Sequence, residues 1–385
     1  MMWKRLAILI SFAGLLFFAF PFPALAADFS LEAKGAILMD AATGQVLFEQ
    51  NADEKWYPAS MTKIMTLGLA LEAIHQEKAQ LADQVLTSEN AAGYGGSQVY
   101  LAPGEIFTLE EMLIAISVGS ANDASVAVAE HLAGSEENFV RLMNEKAQQL
   151  GAVNTHFTNS HGLHDDEHYT TPRDMALISQ WALKLPKMKE LTTIKEYTFR
   201  GEPRPLILYN TNKLLWWYPG VTGLKTGTTS AAKRNLAASV EKDGLELIGV
   251  VMGVDRKNGH FAETMKLFNW GFANFIYEKI FDQHQTVEEV KVSKGQKDRL
   301  AVITAEAAGA LLAKSEEKEL DTLIELPHYL PAPINRGEKV GSLIIRNKGQ
   351  EIRRIDLLAG ENIARVSFWG MFTKSWNRVV TLGQQ

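Results

Sequence analysis

Three short stretches of this sequence pair residue types that can move protons or hold charge. The first, Ser60-Met61-Thr62-Lys63, sets a hydroxyl one helical turn from an amine. Pro58-Ala59 precede it, and the apolar run from Met61 to Ile74 predicts a buried helix behind it. A serine at a helix start lies beside free N–H groups and the positive end of the helix dipole. A lysine one turn on shares its face, and if desolvated beside the hydroxyl it can give up its proton and act as a base. The second stretch, Ser120-Ala121-Asn122, puts a hydroxyl and an amide in one loop, where they can relay a proton and hold a carbonyl. The third, Lys225-Thr226-Gly227, ends an expected strand with a positive charge, a hydroxyl and a glycine that allows close backbone approach. An extended peptide can add to such an edge.

Taken singly, each stretch has an ordinary reading: an N-cap serine with a surface lysine, a helix-capping loop, a turn between strands. Ser-x-x-Lys recurs at Ser230, Ser239 and Ser315, and Ser-x-Asn recurs at Ser88 and Ser375, whereas Lys-Thr-Gly occurs once. Their order along the chain is the stronger signal, together with the elements that must carry them.

Those elements read as follows. Gly35 to Asp40 and Gln45 to Glu49 form a hairpin around Ala41-Ala42-Thr43-Gly44. From Thr108 to about Leu185 the patterns are mainly helical, with loops at Gly134 and from His161 to Thr171. Val221 to Thr226, Asn235 to Glu241 and Leu245 to Val254 read as strands, with Lys242-Asp243-Gly244 as a turn. Phe261 to Ile280 reads as a helix. A sheet opened by an N-terminal hairpin and finished by later strands, with helices inserted between, is an α+β layout with a helical lobe. Beyond Gln283 the runs Val287–Val292, Leu300–Thr304, Leu320–Leu326, Lys339–Arg346 and Glu351–Leu357, punctuated by Gly and Pro, predict a small, mostly β domain.

Both chain ends read as addresses. Lys4-Arg5, the apolar run Leu6–Phe20 and Ala24-Leu25-Ala26 make a secretory signal, expected to be cleaved near Ala26. Ile363, Val366, Trp369, Phe372, Trp376, Val379 and Val380 fall on one helical face, with Arg365, Lys374 and Arg378 elsewhere. That pattern predicts an amphipathic helix lying in a membrane interface. The expected division is therefore a signal over residues 1–26, a catalytic domain over 27–282, a β domain over 283–360 and an anchor helix over 361–385. With 385 residues, no cysteine and a net charge of −6, a thiolate nucleophile and a disulfide scaffold are excluded, and nucleic acid is not an expected partner.

Ser-x-x-Lys at a helix start, Ser-x-Asn in a helical insert and Lys-Thr-Gly on a returning strand form the ordered constellation of penicillin-binding proteins and β-lactamases. The chain resembles a D-alanyl-D-alanine carboxypeptidase, a low-molecular-mass penicillin-binding protein, from about Asp28 onward. The likeness rests on Tyr57–Lys63, on Asn159-Ser160-His161-Gly162-Leu163 and on Gly223–Gly227, and extends to the trailing β domain and terminal helix. It implies a penicillin-binding/β-lactamase-like catalytic fold and a serine peptidase acting on cell-wall stem peptides. Ser60 would be the nucleophile and Lys63 its base, with Ser120 and Asn122 relaying protons and holding substrate. Lys225, Thr226 and Gly227 would bind the terminal carboxylate and backbone. The N–H groups of Ser60 and Thr228 would form the oxyanion hole. β-Lactams would acylate Ser60. Related enzymes can add an arginine in the stretch matching Gly259 to Glu263. Here that position is His260, with Arg256 or Lys257 as possible substitutes.

Three competing readings follow. A β-lactamase needs a further base after the Ser-x-Asn motif, and no such glutamate stands out between Leu150 and Thr171. The cluster His161, His164, Asp165, Asp166, Glu167 and His168 offers zinc-ligand chemistry but reads as a polar loop, so no metal or cofactor is expected. A catalytically weak wall-binding scaffold would keep the fold without turnover. Gly93-Tyr94-Gly95-Gly96-Ser97 reads as a loop near the cleft rather than a phosphate cradle, and Trp216-Trp217-Tyr218 as packing or a cleft rim.

Overall fold

In the computed structural model, which describes residues 29–203 and 205–367, the strand Gly35–Asp40 is buried along its whole length. A strand apolar on both faces must be covered on both. Leu38 meets Gly271 of the helix Gly259–Asn274 on one side. Ile37 and Met39 point the other way and join the core of the helical lobe. Around this strand runs an antiparallel sheet of five strands, in the order Val46–Gln50, Gly35–Asp40, Leu245–Val254, Lys233–Lys242, Val221–Thr229. The chain ends thus enclose the helices in sequence, and the strand carrying Lys-Thr-Gly lies at the sheet's outer position.

The helical lobe is built on Lys63–His75, whose Ile64, Met65, Leu67, Ala70 and Leu71 are all buried. Leu109–Val118, Asn122–Ala133, Glu136–Gln149 and Pro172–Leu183 complete it. Local sequence explains where these helices begin. Thr108 and Glu111 close a capping box, Ser135 accepts from the N–H of Asn138, and Thr171 caps ahead of Pro172 at the first helical position. Gly134, at φ 76°, ends one helix so that the next can start two residues on.

Two features differ from the pattern-based expectation. The helix expected over 261–280 ends at Asn274, and Phe275–Phe281 is instead a strand paired with Ala308–Ala313. Its Phe, Ile and Tyr residues favour a pleated, half-buried surface, and the partner strand that decides the matter lies some thirty residues downstream. The hairpin Glu196–Arg200/Leu206–Tyr209 falls inside a stretch with no clear period.

The C-terminal β domain has its own core, including Leu300, Val302, Leu343, Ile345, Ile355 and Leu357. Its main sheet has six strands, ordered Leu320–Glu325, Lys339–Asn347, Gln350–Ala359, Arg299–Thr304, Thr286–Ser293, Tyr329–Pro331. Ile363 is 2% exposed and bridges Ile334, and Arg365 bridges Gly295, so residues 363–365 are extended and belong to this domain's edge. The signal segment and most of the expected anchor helix, from residue 368 on, lie outside the described residues. Among the described residues no helix is long and apolar enough to cross a membrane.

Phe268 sets how closely the Gly259–Asn274 helix approaches the sheet. Its ring fills the space over Gly249, where an added Cβ would come within 2.8 Å of it. Phe268→Ala is expected to cost about 3–5 kcal/mol, and Phe268→Leu clearly less, as measured by urea unfolding of the soluble protein.

Candidate active site

Ser60 sits in the short 3₁₀ turn Ala59–Thr62 that leads into the Lys63–His75 helix. Ala59 has φ 49°, an unfavourable left-handed conformation for alanine, and it aims the turn so that Ser60 stays partly exposed while Lys63 is fully buried. Asn235, from the second strand of the sheet behind, holds this turn in place. Its amide donates to the carbonyls of Tyr57 (2.8 Å) and Pro58 (3.3 Å) and accepts from the N–H of Gly253 (2.8 Å). Gly227 comes so close to the same turn that a Cβ there would lie 2.4 Å from the Pro58 carbonyl oxygen. The glycine of the third motif therefore also allows the strand to pack closely on the protein's own nucleophile turn.

The Lys63 amine has no exposed surface and three oxygen neighbours. It donates to Asn122 Oδ1 at 2.7 Å and the His161 carbonyl at 2.5 Å, and lies 3.2 Å from Ser60 Oγ. Burial pushes its pKa well below the ordinary lysine value, the charge on Lys225 pushes the same way, and Asp123 opposes both. A lysine whose pKa is lowered in this way gives up its proton more readily than a surface lysine, and it lies at hydrogen-bond distance from a hydroxyl, which is what a general base requires.

Asn122 opens the Asn122–Ala133 helix and is held at three points. Its side-chain amide donates to the Gly95 carbonyl (2.7 Å), its backbone N–H donates to the Ser97 carbonyl (2.7 Å), and its oxygen receives Lys63. The glycine-rich segment 93–97 is thus a wall of the site. Asp123 anchors the following residues by accepting from the N–H groups of Val99 and Leu101, each at 3.1 Å for one carboxylate oxygen. Ser120 is buried next to Asn122 at φ 60°, a second strained non-glycine residue at a motif serine.

Lys225 and Thr226 meet on a residue outside the three motifs. Thr211 Oγ1 accepts from Thr226 Oγ1 at 2.7 Å and from Lys225 Nζ at 3.3 Å. Burial lowers the Lys225 pKa to about 7. Thr228, two residues on, is exposed. His260 is 6% exposed, packs 3.9 Å from the Phe261 ring centre and leaves Nδ1 without a hydrogen-bond partner. Burial first, then Arg234 and Lys213, bring its pKa to about 4, so it is neutral at neutral pH. Arg256 is engaged with Glu263 (3.3 Å) and Glu32 (3.5 Å).

The histidine-rich loop is divided among separate tasks. His161 gives its carbonyl to Lys63, His168 Nε2 lies 2.7 Å from Thr62 Oγ1, and the exposed His164 packs edge-on against Tyr57. Among the described residues no group of three or more His, Asp or Glu side chains is placed to hold a metal ion. Trp216 and Trp217 are each about half exposed, and Trp217 packs edge-on against Phe261 beside Lys213.

Comparison with known proteins matches this arrangement. Residues 23–256 fit the family model of D-alanyl-D-alanine carboxypeptidases, and residues 275–365 fit that of the penicillin-binding protein 5 C-terminal domain. D-alanyl-D-alanine carboxypeptidase DacF of Bacillus subtilis is 39% identical over 339 residues, covering 88% of this chain and 87% of that protein. DacC of Escherichia coli is 35% identical over 350 residues, covering 89% and 86%. The crystal structure of penicillin binding protein 5 from Haemophilus influenzae matches with a TM-score of 0.69 at 33% identity, over 88% of this chain and 99% of that one. The chain belongs to the D-alanyl-D-alanine carboxypeptidase family, and is a serine-type carboxypeptidase with a penicillin-binding catalytic domain and a C-terminal β domain. The β-lactamase and scaffold readings have no counterpart in the names of these relatives.

Thr211 carried no motif signal, and its hydroxyl joins the Lys225 and Thr226 side chains. Thr211→Val, which keeps its shape and removes its hydroxyl, is expected to lower the second-order rate of acylation by a fluorescent penicillin about tenfold, through loss of the acceptor that Lys225 and Thr226 share. The melting temperature should stay near that of the parent.

Proposed function

We propose that this enzyme removes the terminal D-alanine from peptidoglycan stem peptides through an acyl-enzyme on Ser60. The observation that carries this reading is the buried Lys63 amine, its pKa lowered by burial, within reach of the Ser60 hydroxyl. Lys63 takes the hydroxyl proton as Ser60 Oγ bonds to the penultimate carbonyl carbon. The N–H groups of Ser60 and Thr228 receive the developing oxyanion. As the C–N bond breaks, the proton passes to the leaving amine, with Ser120 as relay, and D-alanine departs. Water then adds to the ester, and its proton returns Ser60 to the hydroxyl form. Asn122 keeps Lys63 aimed and offers its amide face to the substrate.

The terminal carboxylate is received by Lys225, Thr226 and Thr211. Neutral His260 supplies a hydrogen bond rather than a charge, so the positive field at this end comes from Lys225 with Arg234 and Lys213. The division of labour between the two buried lysines follows from like-charge repulsion: Lys225 takes the proton and Lys63 gives it up. A β-lactam presents the same carbonyl and carboxylate, and its tethered leaving group stays in place after ring opening, which slows deacylation.

Export and peripheral membrane attachment complete the proposal, on the strength of the signal-like segment over 1–26 and the aromatic and basic pattern over 361–385.

Mature protein is expected to release D-alanine from diacyl-Lys-D-Ala-D-Ala, and Ser60→Ala to abolish release. Lys63→Ala should slow acylation by about 10²–10⁴-fold, the range for losing a positioned base. Release that survives Ser60→Ala would remove the serine from the mechanism. Because Ile363 belongs to the β-domain core, a truncation must retain it. A chain ending at Ser367 is expected to stop sedimenting with anionic liposomes and to keep its D-alanine release. Sedimentation unchanged by that truncation would refute the anchor.

A further inference from the structure

Behind the site lies a carboxylate that belongs to none of the three motifs. Glu136 is the first residue of the Glu136–Gln149 helix, and its side chain is 15% exposed. One carboxylate oxygen accepts from the Ser160 N–H at 2.9 Å and from the Ser160 hydroxyl at 2.6 Å. The other accepts from the Tyr94 hydroxyl at 3.0 Å. His161 Nδ1 accepts from the Leu163 N–H, which leaves the ring proton on Nε2, and that atom faces the Glu136 carboxylate at 3.6 Å.

These contacts join two loops that approach Lys63 from different sides. The 159–163 turn supplies the His161 carbonyl that receives Lys63. Thr66, on the Lys63 helix, donates to the Ser160 carbonyl at 2.6 Å. Gly162 in the same turn presses so closely on the nucleophile's backbone that a Cβ there would lie 2.0 Å from the Ala59 carbonyl oxygen and 3.0 Å from the Ser60 nitrogen. Tyr94 comes from the other loop, whose Gly95 carbonyl receives the Asn122 amide. Both polar partners of Lys63 beyond Ser60, the His161 carbonyl and the Asn122 oxygen, are therefore held by loops that end on one carboxylate.

We propose that Glu136 is a positioning residue for the general base, fastening the 93–97 and 159–163 loops so that the His161 carbonyl and Asn122 hold the Lys63 amine on Ser60. It acts through those loops and touches no substrate. The inference rests on the proposed roles of Ser60 and Lys63. A charged carboxylate suits the task because it accepts three hydrogen bonds at once, and hydrogen bonds to charged groups are the stronger kind. Four further titratable groups bear on Lys63: Asp123 from the Asn122–Ala133 helix, Lys225 from the outer strand, and His161 and His168 from the loop. They are unchanged in the variants below.

The test is the rate of Ser60 acylation by a fluorescent penicillin, as a function of pH, in Glu136→Ala, Glu136→Gln and Tyr94→Phe. Rates are expressed per folded site by end-point titration. Glu136→Ala is expected to lose at least tenfold in acylation rate at neutral pH. Its acid limb should move to lower pH, because the amine loses a carbonyl partner. Glu136→Gln keeps one of the two acceptor oxygens in use and should recover part of the rate and of the limb position. Tyr94→Phe frees only the 93–97 loop and should lose a few-fold. If Glu136→Ala does not fold, the Gln and Phe variants carry the test. Rates per site and acid limbs that match the parent in the variants that fold would overturn the proposal, even with a lower melting temperature. Failure of the underlying reading is separable: it shows as acylation that persists in Ser60→Ala or an acid limb that is unchanged in Lys63→Ala.

Discussion

An amine without water is the constraint on which the rest of this structure turns. Lys63 is fully buried, and an unpaired ammonium there would cost several kcal/mol. The fold lowers that cost by pushing the amine's pKa down and by giving its N–H groups the Asn122 oxygen and the His161 carbonyl. Every element around the site serves that outcome. The apolar Lys63–His75 helix desolvates the amine, the helical insert delivers Asn122, the histidine-rich loop delivers a carbonyl, and the outer strand brings a second lysine whose charge opposes protonation.

The nucleophile is placed by the same economy of close contacts. Its turn is gripped by Asn235 from one strand, by Gly227 from the next and by Gly162 from the loop above. At both glycines a single added carbon would collide with backbone, so these contacts are made by main chain on main chain and cannot be loosened by rotating a side chain. The left-handed conformations of Ala59 and Ser120 are tolerated because their neighbours over-determine them. Strain at Ala59 and Ser120 is thus offset by rigid packing a few residues away.

Much of this was legible in the sequence, for identifiable reasons. The central strands announced themselves by apolar runs and by the Lys242-Asp243-Gly244 turn, and the helical lobe by its mainly helical patterns from Thr108 to about Leu185. Ser60, Lys63, Asn122, Lys225 and Thr226 were found because their types and order have chemical meaning. What escaped was fixed by tertiary contact alone. Phe275–Phe281 continues an apolar pattern, and only its pairing with Ala308–Ala313 makes it a strand. Thr211, Asn235 and Glu136 are single polar residues in unremarkable surroundings. Their importance lies in what they touch across 15, 177 and 24 positions of sequence, distances over which no local pattern can speak. The histidine cluster offers metal-ligand chemistry only by its closeness in sequence: its rings are turned to three different neighbours.

The central claim is that Lys63 is an uncharged amine in the resting enzyme, and its protonation can be observed directly. Protein labelled with 13C and 15N at lysine, with the Lys63 signal assigned by its loss in Lys63→Arg, would be titrated by NMR across the pH range in which it stays folded. This account predicts a Lys63 side chain that is neutral at pH 7 and gains its proton only on acidification, apart from the surface lysines. A Lys63 signal that stays protonated until it titrates with the surface lysines would contradict it.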